Sequence, residues 1–281
     1  MRICLTGYNA KPETARVLEQ AAEILRRAGA EVFVVPQNGF DVPHHGGASV
    51  LGAQTLEGAD AVATVGGDGT MLHAAKECAR LGLPVLGVNL GRTGFLATCE
   101  LDEMETKLSR LAKGDFSVEH RALLQAECTG AKAPLIALND LVIYSGERRQ
   151  TVELDVLCDG MPVSNCRGDG VILATPTGST AYSLSAGGPI LDARIRGLVV
   201  TSICAPSLQR PAIVFAAARR ITVRPGPDQR GPILISSDGE QEIPLPADGE
   251  LRAGLSEKSV KLITFNGTDQ FDAIDKKLRG R

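Results

Sequence analysis

The chain has 281 residues, 43% of them hydrophobic, with a formal net charge of −3 and a pI near 5.9. That length and apolar content suffice for one large or two ordinary domains around a substantial core, and the charge excludes the basic footprint of a nucleic-acid or anionic-membrane binder. No apolar stretch reaches the roughly 20 residues of a membrane-spanning helix, and Ile3-Cys4-Leu5 behind Arg2 is too short for a signal-peptide core, so a cytoplasmic location is expected. Seven cysteines, an odd number with no C-x-x-C pair and none at zinc spacing from a histidine, read as reduced and mostly buried thiols.

Along the first half, short apolar runs at Ile3 to Thr6, Glu31 to Val35, Ala61 to Val65 and Pro84 to Asn89 are separated by helical patterns, most clearly Pro12 to Ala28 ended by Gly29. Such alternation predicts βα units and a parallel sheet. Asn38 to Ser49 lacks periodicity and reads as a loop; its His44-His45 pair has no further ligands at metal spacing and is read as solvent-exposed. Between the third and fourth runs stands Gly66-Gly67-Asp68-Gly69-Thr70, followed by Met71, Leu72, Ala74, Ala75, Cys78 and Leu81 at helical spacing up to Gly82. The glycines therefore fall at a strand-to-helix turn, where backbone N–H groups and the positive end of the helix dipole favour an anion. A carboxylate repels phosphate, so Asp68 in that turn either meets a hydroxyl proton or a metal ion, or simply caps the helix. A helix from about Asp102 to Lys113, stopped by Gly114, closes this half.

After Phe116 the texture changes to short runs of period-two character: Leu123 to Cys128, Ala137 to Tyr144, Val152 to Cys158, Val171 to Ala174, Leu198 to Ile203, Ile221 to Val223 and Ile233 to Ser236. Turn residues at Asp159-Gly160, Pro225-Gly226-Pro227 and Asp238-Gly239 separate them, so this half reads as β-rich. Asn139-Asp140 follows an apolar run and, taken alone, fits an Asx-type turn. Thr175 to Ser185 reads as a loop entering a short helix, with Pro176 stiffening the turn and Gly178 permitting close backbone approach. An amphipathic helix is expected from about Asp269 to Leu278. Arg148-Arg149 and Arg219-Arg220 read as solvated surface pairs.

Gly66 to Thr70, Leu138-Asn139-Asp140, Gly168-Asp169-Gly170 and the long Thr175-Pro176-Thr177-Gly178-Ser179-Thr180-Ala181-Tyr182 segment occur in one order along one chain. Together they resemble the NAD kinase family, nearly end to end. The resemblance implies a Rossmann-like N-terminal α/β domain, residues 1–115 with a returning tail at 262–281, and a β-rich dinucleotide-binding domain at 116–261. It implies phosphoryl transfer to the 2′-hydroxyl of the adenosine ribose of NAD, with ATP or polyphosphate as donor and Mg²⁺ or Mn²⁺ as a helper ion.

Carried onto this chain, the resemblance makes Asp68 the catalytic base, or else a residue that fixes the ribose, with Gly66, Gly67, Gly69 and Thr70 as the phosphate cradle. Asn139 would bond the adenine and Asp140 a ribose hydroxyl, although glutamate is usual at the latter position. Thr180, Ala181, Tyr182 and Ser185 would line the dinucleotide pocket; as an isolated feature a Ser/Thr-rich segment of this kind is more often a capping loop. Asp169 would meet the nicotinamide amide, completed by a neighbouring subunit, which implies a homo-oligomer, a dimer or tetramer. Arg167 is the cation placed to meet a phosphate or carbonyl, or else a surface arginine, and His73 faces the nucleotide or packs the helix. Two departures stand out: Ala205-Pro206-Ser207-Leu208 lacks the usual histidine, and Asp238-Gly239-Glu240 carries glutamate where glutamine is common. A lipid or sugar kinase of similar fold, or a catalytically silent NAD-binding regulator, are the alternatives.

Overall fold

The computed structural model describes residues 1–7, 12–36, 51–52, 55–90, 95–147, 150–205 and 211–265. Its contacts divide the chain into two units, one of Met1–His120 with Val260–Arg281 and one of Arg121–Ser259. In the first, β1 (Arg2–Gly7), β2 (Glu31–Pro36), β3 (Leu51–Gly52), β4 (Ala61–Gly66) and β5 (Pro84–Asn89) form a parallel sheet in the order β5-β4-β1-β2-β3. β1, β4 and β5 are buried along nearly their whole length, which is why these runs are continuously apolar instead of alternating. α1 (Pro12–Arg27) joins β1 to β2, and α2 (Asp68–Leu81) joins β4 to β5. α1 places Val17, Ala21 and Leu25 in one core with Ile3, Leu5 and Ala63, and α3 (Met104–Ala112) adds Leu108 and Leu111. The helix stops expected at Gly29, Gly82 and Gly114 are all left-handed, with φ of +90°, +73° and +73°.

The second unit is almost entirely β. It contains β6 (Ser117–Cys128) from Arg121 on, β7 (Leu135–Ala137), β8 (Asp140–Ser145), β9 (Val152–Cys158), β10 (Met161–Gly168), β11 (Gly170–Ala174) and, after one helical turn, α4 (Tyr182–Ser185), the strands β12 (Gly197–Ile203) and β13 (Ile213–Ala216). β14 (Ile221–Pro225), β15 (Ile233–Ser237), β16 (Gln241–Leu245) and β17 (Leu251–Thr264) follow, the last belonging to this unit up to Ser259 and to the first unit from Val260. One antiparallel sheet runs β13-β12-β11-β8-β15-β16, and β10, β9, β14 and β17 pair in that order. Leu141, Ile143, Val171 and Leu173 from the former share one core with Leu154, Val156, Ile221 and Val223 from the latter. Asp159-Gly160 and Asp238-Gly239 turn two hairpins with positive φ at both residues, 49° and 82°, then 49° and 72°, the twist-matched conformation that such pairs favour. At the other end of β17, Lys261 and Leu262 pair in parallel with Pro84 and Val85 of β5.

All seven cysteines are free; five are buried, Cys158 is half-buried and Cys204 is exposed. No helix among the described residues is long and apolar enough to cross a membrane. The expected closing helix, the His44-His45 loop, Arg148-Arg149 and most of the atypical 205–208 stretch lie outside the described residues.

Candidate active site

Two separate constructions carry the residues singled out in the sequence, one in each unit. In the first, β4 passes through Gly67 directly into α2, with Gly67 in an extended conformation (φ −99°, ψ −171°) and lacking any side chain with which to cap the helix. Gly66 is required by packing, since a Cβ there would overlap the Thr70 side chain. Gly67 and Gly69 are different. A Cβ on either meets no atom of the described residues within 4 Å and neither has positive φ, so nothing among the described residues demands glycine at these two positions. Asp68 is the first helical residue and not the cap; its Oδ2 accepts the Phe95 N–H at 2.9 Å and its Oδ1 the Leu96 N–H at 3.2 Å. Two bonds from the chain beyond β5 thus fix the orientation of this carboxylate. His73, one turn further along α2, is exposed and contributes nothing to the helix core.

The second construction is a cavity of about 690 Å³ in the second unit, within the range of small-molecule sites. Asn139, Asp140, Asp169, Ala181 and Tyr182, drawn from three separate sequence segments, all line it, together with Tyr144, Glu147 and Asp238. The three segments meet because of small residues and internal hydroxyls. Gly178 lies so close to the Asn139 backbone that a Cβ would overlap its carbonyl and stand 2.6 Å from its Cα. Thr175 closes the same junction: its N–H donates to the Asn139 carbonyl at 2.9 Å and its hydroxyl to the Leu138 carbonyl. Glycines on either side of Asp169 let neighbouring strands approach, since a Cβ on Gly168 would meet the Ile203 carbonyl at 2.5 Å and one on Gly170 would overlap that of Ile143.

The remaining site expectations are placed elsewhere. Thr180 is buried and donates its hydroxyl to the Thr177 carbonyl at 3.1 Å, and Ser185 is exposed; neither lines the cavity. Most hydroxyls of the Thr175–Ser185 segment hold the loop itself, as Ser179 does by bonding the Pro176 carbonyl at 2.6 Å and receiving the Leu191 N–H at 2.9 Å. Arg167 is paired with Glu153 at 3.1 Å and Asp228 at 3.5 Å on the surface and is not part of the cavity wall. Glu240 is exposed and also off the wall, so it adds no charge to the lining.

Tyr144 and Asp238 are among the lining residues that the sequence reading did not place in the site. Tyr144 donates its hydroxyl to Glu242, and burial together with that carboxylate pushes the phenol up to about 12. Asp238 accepts backbone N–H groups from Leu138, Asn139 and Asp140 at 2.9, 2.8 and 3.1 Å. The electrostatics of the wall are dominated by acids, with Asp140, Glu147, Asp169 and Asp238 facing it and no lysine or arginine among its described residues. Burial, reinforced by the Asp238 charge and opposed by the Tyr182 backbone N–H, pushes the Asp140 carboxyl up to about 7. A wall of this kind repels phosphate and suits sugar hydroxyls and base edges, which offer protons to share. Among the described residues there is no group of three or more His, Cys, Asp or Glu side chains able to hold a metal ion.

Residues 8–116 match the family model of the ATP-NAD kinase N-terminal domain, and residues 138–265 that of the ATP-NAD kinase C-terminal domain. The chain belongs to the NAD kinase family. It is 33% identical over 279 residues to the NAD kinase of Nitrosococcus oceani, covering 98% of this chain and 95% of the relative. It is 35% identical over 273 residues to that of Symbiobacterium thermophilum, covering 96% of each. Among solved structures, yeast NADH kinase complexed with NADH superposes with a TM-score of 0.82 at 25% identity, over 99% of this chain and 87% of that one. An NAD kinase from Archaeoglobus fulgidus in complex with ATP gives 0.78 at 25% identity, over the whole of both chains. The mixed α/β architecture, a parallel-sheet unit followed by a β-rich unit, is thus that of NAD kinases.

Proposed function

We propose that the chain phosphorylates the 2′-hydroxyl of the adenosine ribose of NAD to give NADP, with ATP as donor. The observation that carries this reading is the cavity, where Asn139, Asp140, Asp169, Ala181 and Tyr182 converge on a wall suited to a nucleoside and unsuited to a phosphate chain. The phosphate-binding part is assigned to the turn at Gly66 to Thr70, where Gly67 and Gly69 leave the backbone open to an anion at a helix N-terminus. In the reaction the 2′-oxygen forms a bond to the γ-phosphorus, the bond from that phosphorus to the ADP oxygen breaks, and the hydroxyl proton passes to the Asp68 carboxylate. The N–H bonds from Phe95 and Leu96 orient Asp68 for that role, and an ionised carboxylate is the acceptor the step needs. A hard divalent ion, Mg²⁺ or Mn²⁺, would supply charge neutralisation on the donor.

Polyphosphate is the second donor to test, because backbone amides grip any phosphate chain. A homo-oligomer, dimer or tetramer, and a cytoplasmic location complete the proposal, the latter supported by seven free thiols. The test is NADP formation from NAD, ATP and Mg²⁺ by the purified protein, read with an NADP-specific dehydrogenase. Turnover supports the reading. Tight NAD binding without transfer from either donor overturns it in favour of a silent regulator, and phosphorylation of diacylglycerol instead of NAD in favour of a lipid kinase.

A further inference from the structure

We infer that Asp238 is a positioning residue for the dinucleotide, fixing Asn139 and Asp140 by accepting three consecutive backbone N–H groups. The inference rests on the assignment of this cavity to NAD. Asp238 lies in the tight turn between β15 and β16, where Asp-Gly would suffice as turn chemistry with its side chain in solvent. Instead the side chain turns back across the sheet to a segment about 100 residues earlier. Oδ2 takes the Leu138 N–H at 2.9 Å, and Oδ1 takes those of Asn139 and Asp140 at 2.8 and 3.1 Å. The Asp238 N–H returns a bond to the Asp140 carbonyl at 3.0 Å, and neighbouring Ser237 donates its hydroxyl to the Ile136 carbonyl at 2.8 Å. Residues 136–140 are therefore gripped along one side by the end of β15, while Thr175 grips the Leu138 and Asn139 carbonyls from the other. No other carboxylate in the cavity wall is shown accepting three main-chain donors, the arrangement that fixes a loop and not merely a turn.

Burial raises the proton affinity of Asp140, and the charge of the same Asp238 carboxylate adds to it. The other titratable groups on the wall are Tyr144 on β8, Glu147 just beyond it, Asp169 between β10 and β11, and Tyr182 on α4. None of these groups is cationic. If the Asp140 carboxylate accepts a ribose hydroxyl, the affinity for NAD must rise as Asp140 ionises. With a midpoint at about 7, roughly one molecule in ten is ionised at pH 6, so KM for NAD there stands about tenfold above its high-pH plateau.

The experiment measures kcat and KM for NAD, with saturating ATP and Mg²⁺, from pH 5.5 to 8.5 in wild type, Asp238→Asn, Asp238→Glu and Asp140→Asn, with NAD binding followed calorimetrically. Asp238→Asn keeps one acceptor oxygen, turns an NH2 toward the remaining donor and removes the charge. We expect its plateau KM to rise about tenfold, the midpoint of its KM profile to move to lower pH, and kcat to change less than threefold. Asp238→Glu keeps the charge but displaces it, so its plateau KM should rise with the midpoint unmoved, which preserves the test if the asparagine variant does not fold. Asp140→Asn should abolish the KM inflection. Folded Asp238 variants with the wild-type plateau and midpoint, or with kcat lowered and KM unchanged, would overturn the inference. A wild type that neither binds nor phosphorylates NAD would overturn the functional reading beneath it.

Discussion

Replacing Asp68 by asparagine separates its structural work from its chemical work. The carboxylate accepts two backbone N–H groups, from Phe95 at 2.9 Å and Leu96 at 3.2 Å. Asparagine retains one acceptor and presents an NH2 to the other donor, so one hydrogen bond to a charged group is lost, about 1.5–3 kcal/mol. For a chain of this size that is a fall of several degrees in Tm, leaving the protein folded at assay temperature. The chemical loss is separate: removing the proton acceptor should lower kcat by at least about two decades, while calorimetric affinity for NAD, whose cavity lies in the other unit, stays within a few-fold. The assay is steady-state turnover with the coupled NADP readout, alongside thermal unfolding and NAD titration on the same preparation. A folded variant whose kcat stays within threefold of wild type would refute the base role. A raised KM with kcat intact would instead assign Asp68 to fixing the ribose.

Three other substitutions read different parts of the account. Gly69→Ala adds a Cβ that meets no atom of the described residues, in the first turn of a helix; thermal stability should hold or rise, by up to about 1 kcal/mol, while KM for ATP increases, and an unchanged KM would remove the phosphate from this turn. Gly178→Ala forces a Cβ against the Asn139 backbone, so denaturant titration should show a loss of at least about 1–3 kcal/mol and the residual folded protein a weaker NAD affinity. Asp140 holds its proton more tightly when folded than unfolded, so the stability associated with that proton is full below about pH 4 and lost as pH rises through about 7. Asp140→Asn should accordingly unfold at higher temperature than wild type at pH 8, by an amount on the order of 3 kcal/mol, with the difference vanishing near pH 4.

What the sequence could express was local. The parallel strands are legible because each apolar run is bounded by a helical period and a glycine stop, and Gly29, Gly82 and Gly114 adopt the left-handed conformation those stops require. β10 was hidden because it is the last strand of its pairing series: Met161, Pro162 and Val163 are exposed there, and proline is tolerated where no further partner strand needs its N–H. β17 was hidden because its Ser256-Glu257-Lys258 centre is solvated, although Leu251, Ala253, Val260 and Leu262 are buried. At the site, the segments that supply Asn139, Asp169 and Tyr182 were visible as motifs. Arg167 stands opposite Glu153 across the β9–β10 hairpin, a register no local reading provides, and that pairing takes it away from the cavity wall. Asp238 read as turn chemistry and as part of the Asp238-Gly239-Glu240 motif, but not as an acceptor, because that role depends on donors 98 to 100 residues away.

The central claim is that this chain moves a phosphoryl group onto NAD. The most direct measurement is the stoichiometry of ADP and NADP formed from ATP, NAD and Mg²⁺ in a single preparation, with wild type and Asp68→Asn side by side. The account predicts one NADP for each ADP in wild type and a loss of both in the variant; ADP released without NADP, or no reaction although NAD is bound, would contradict it.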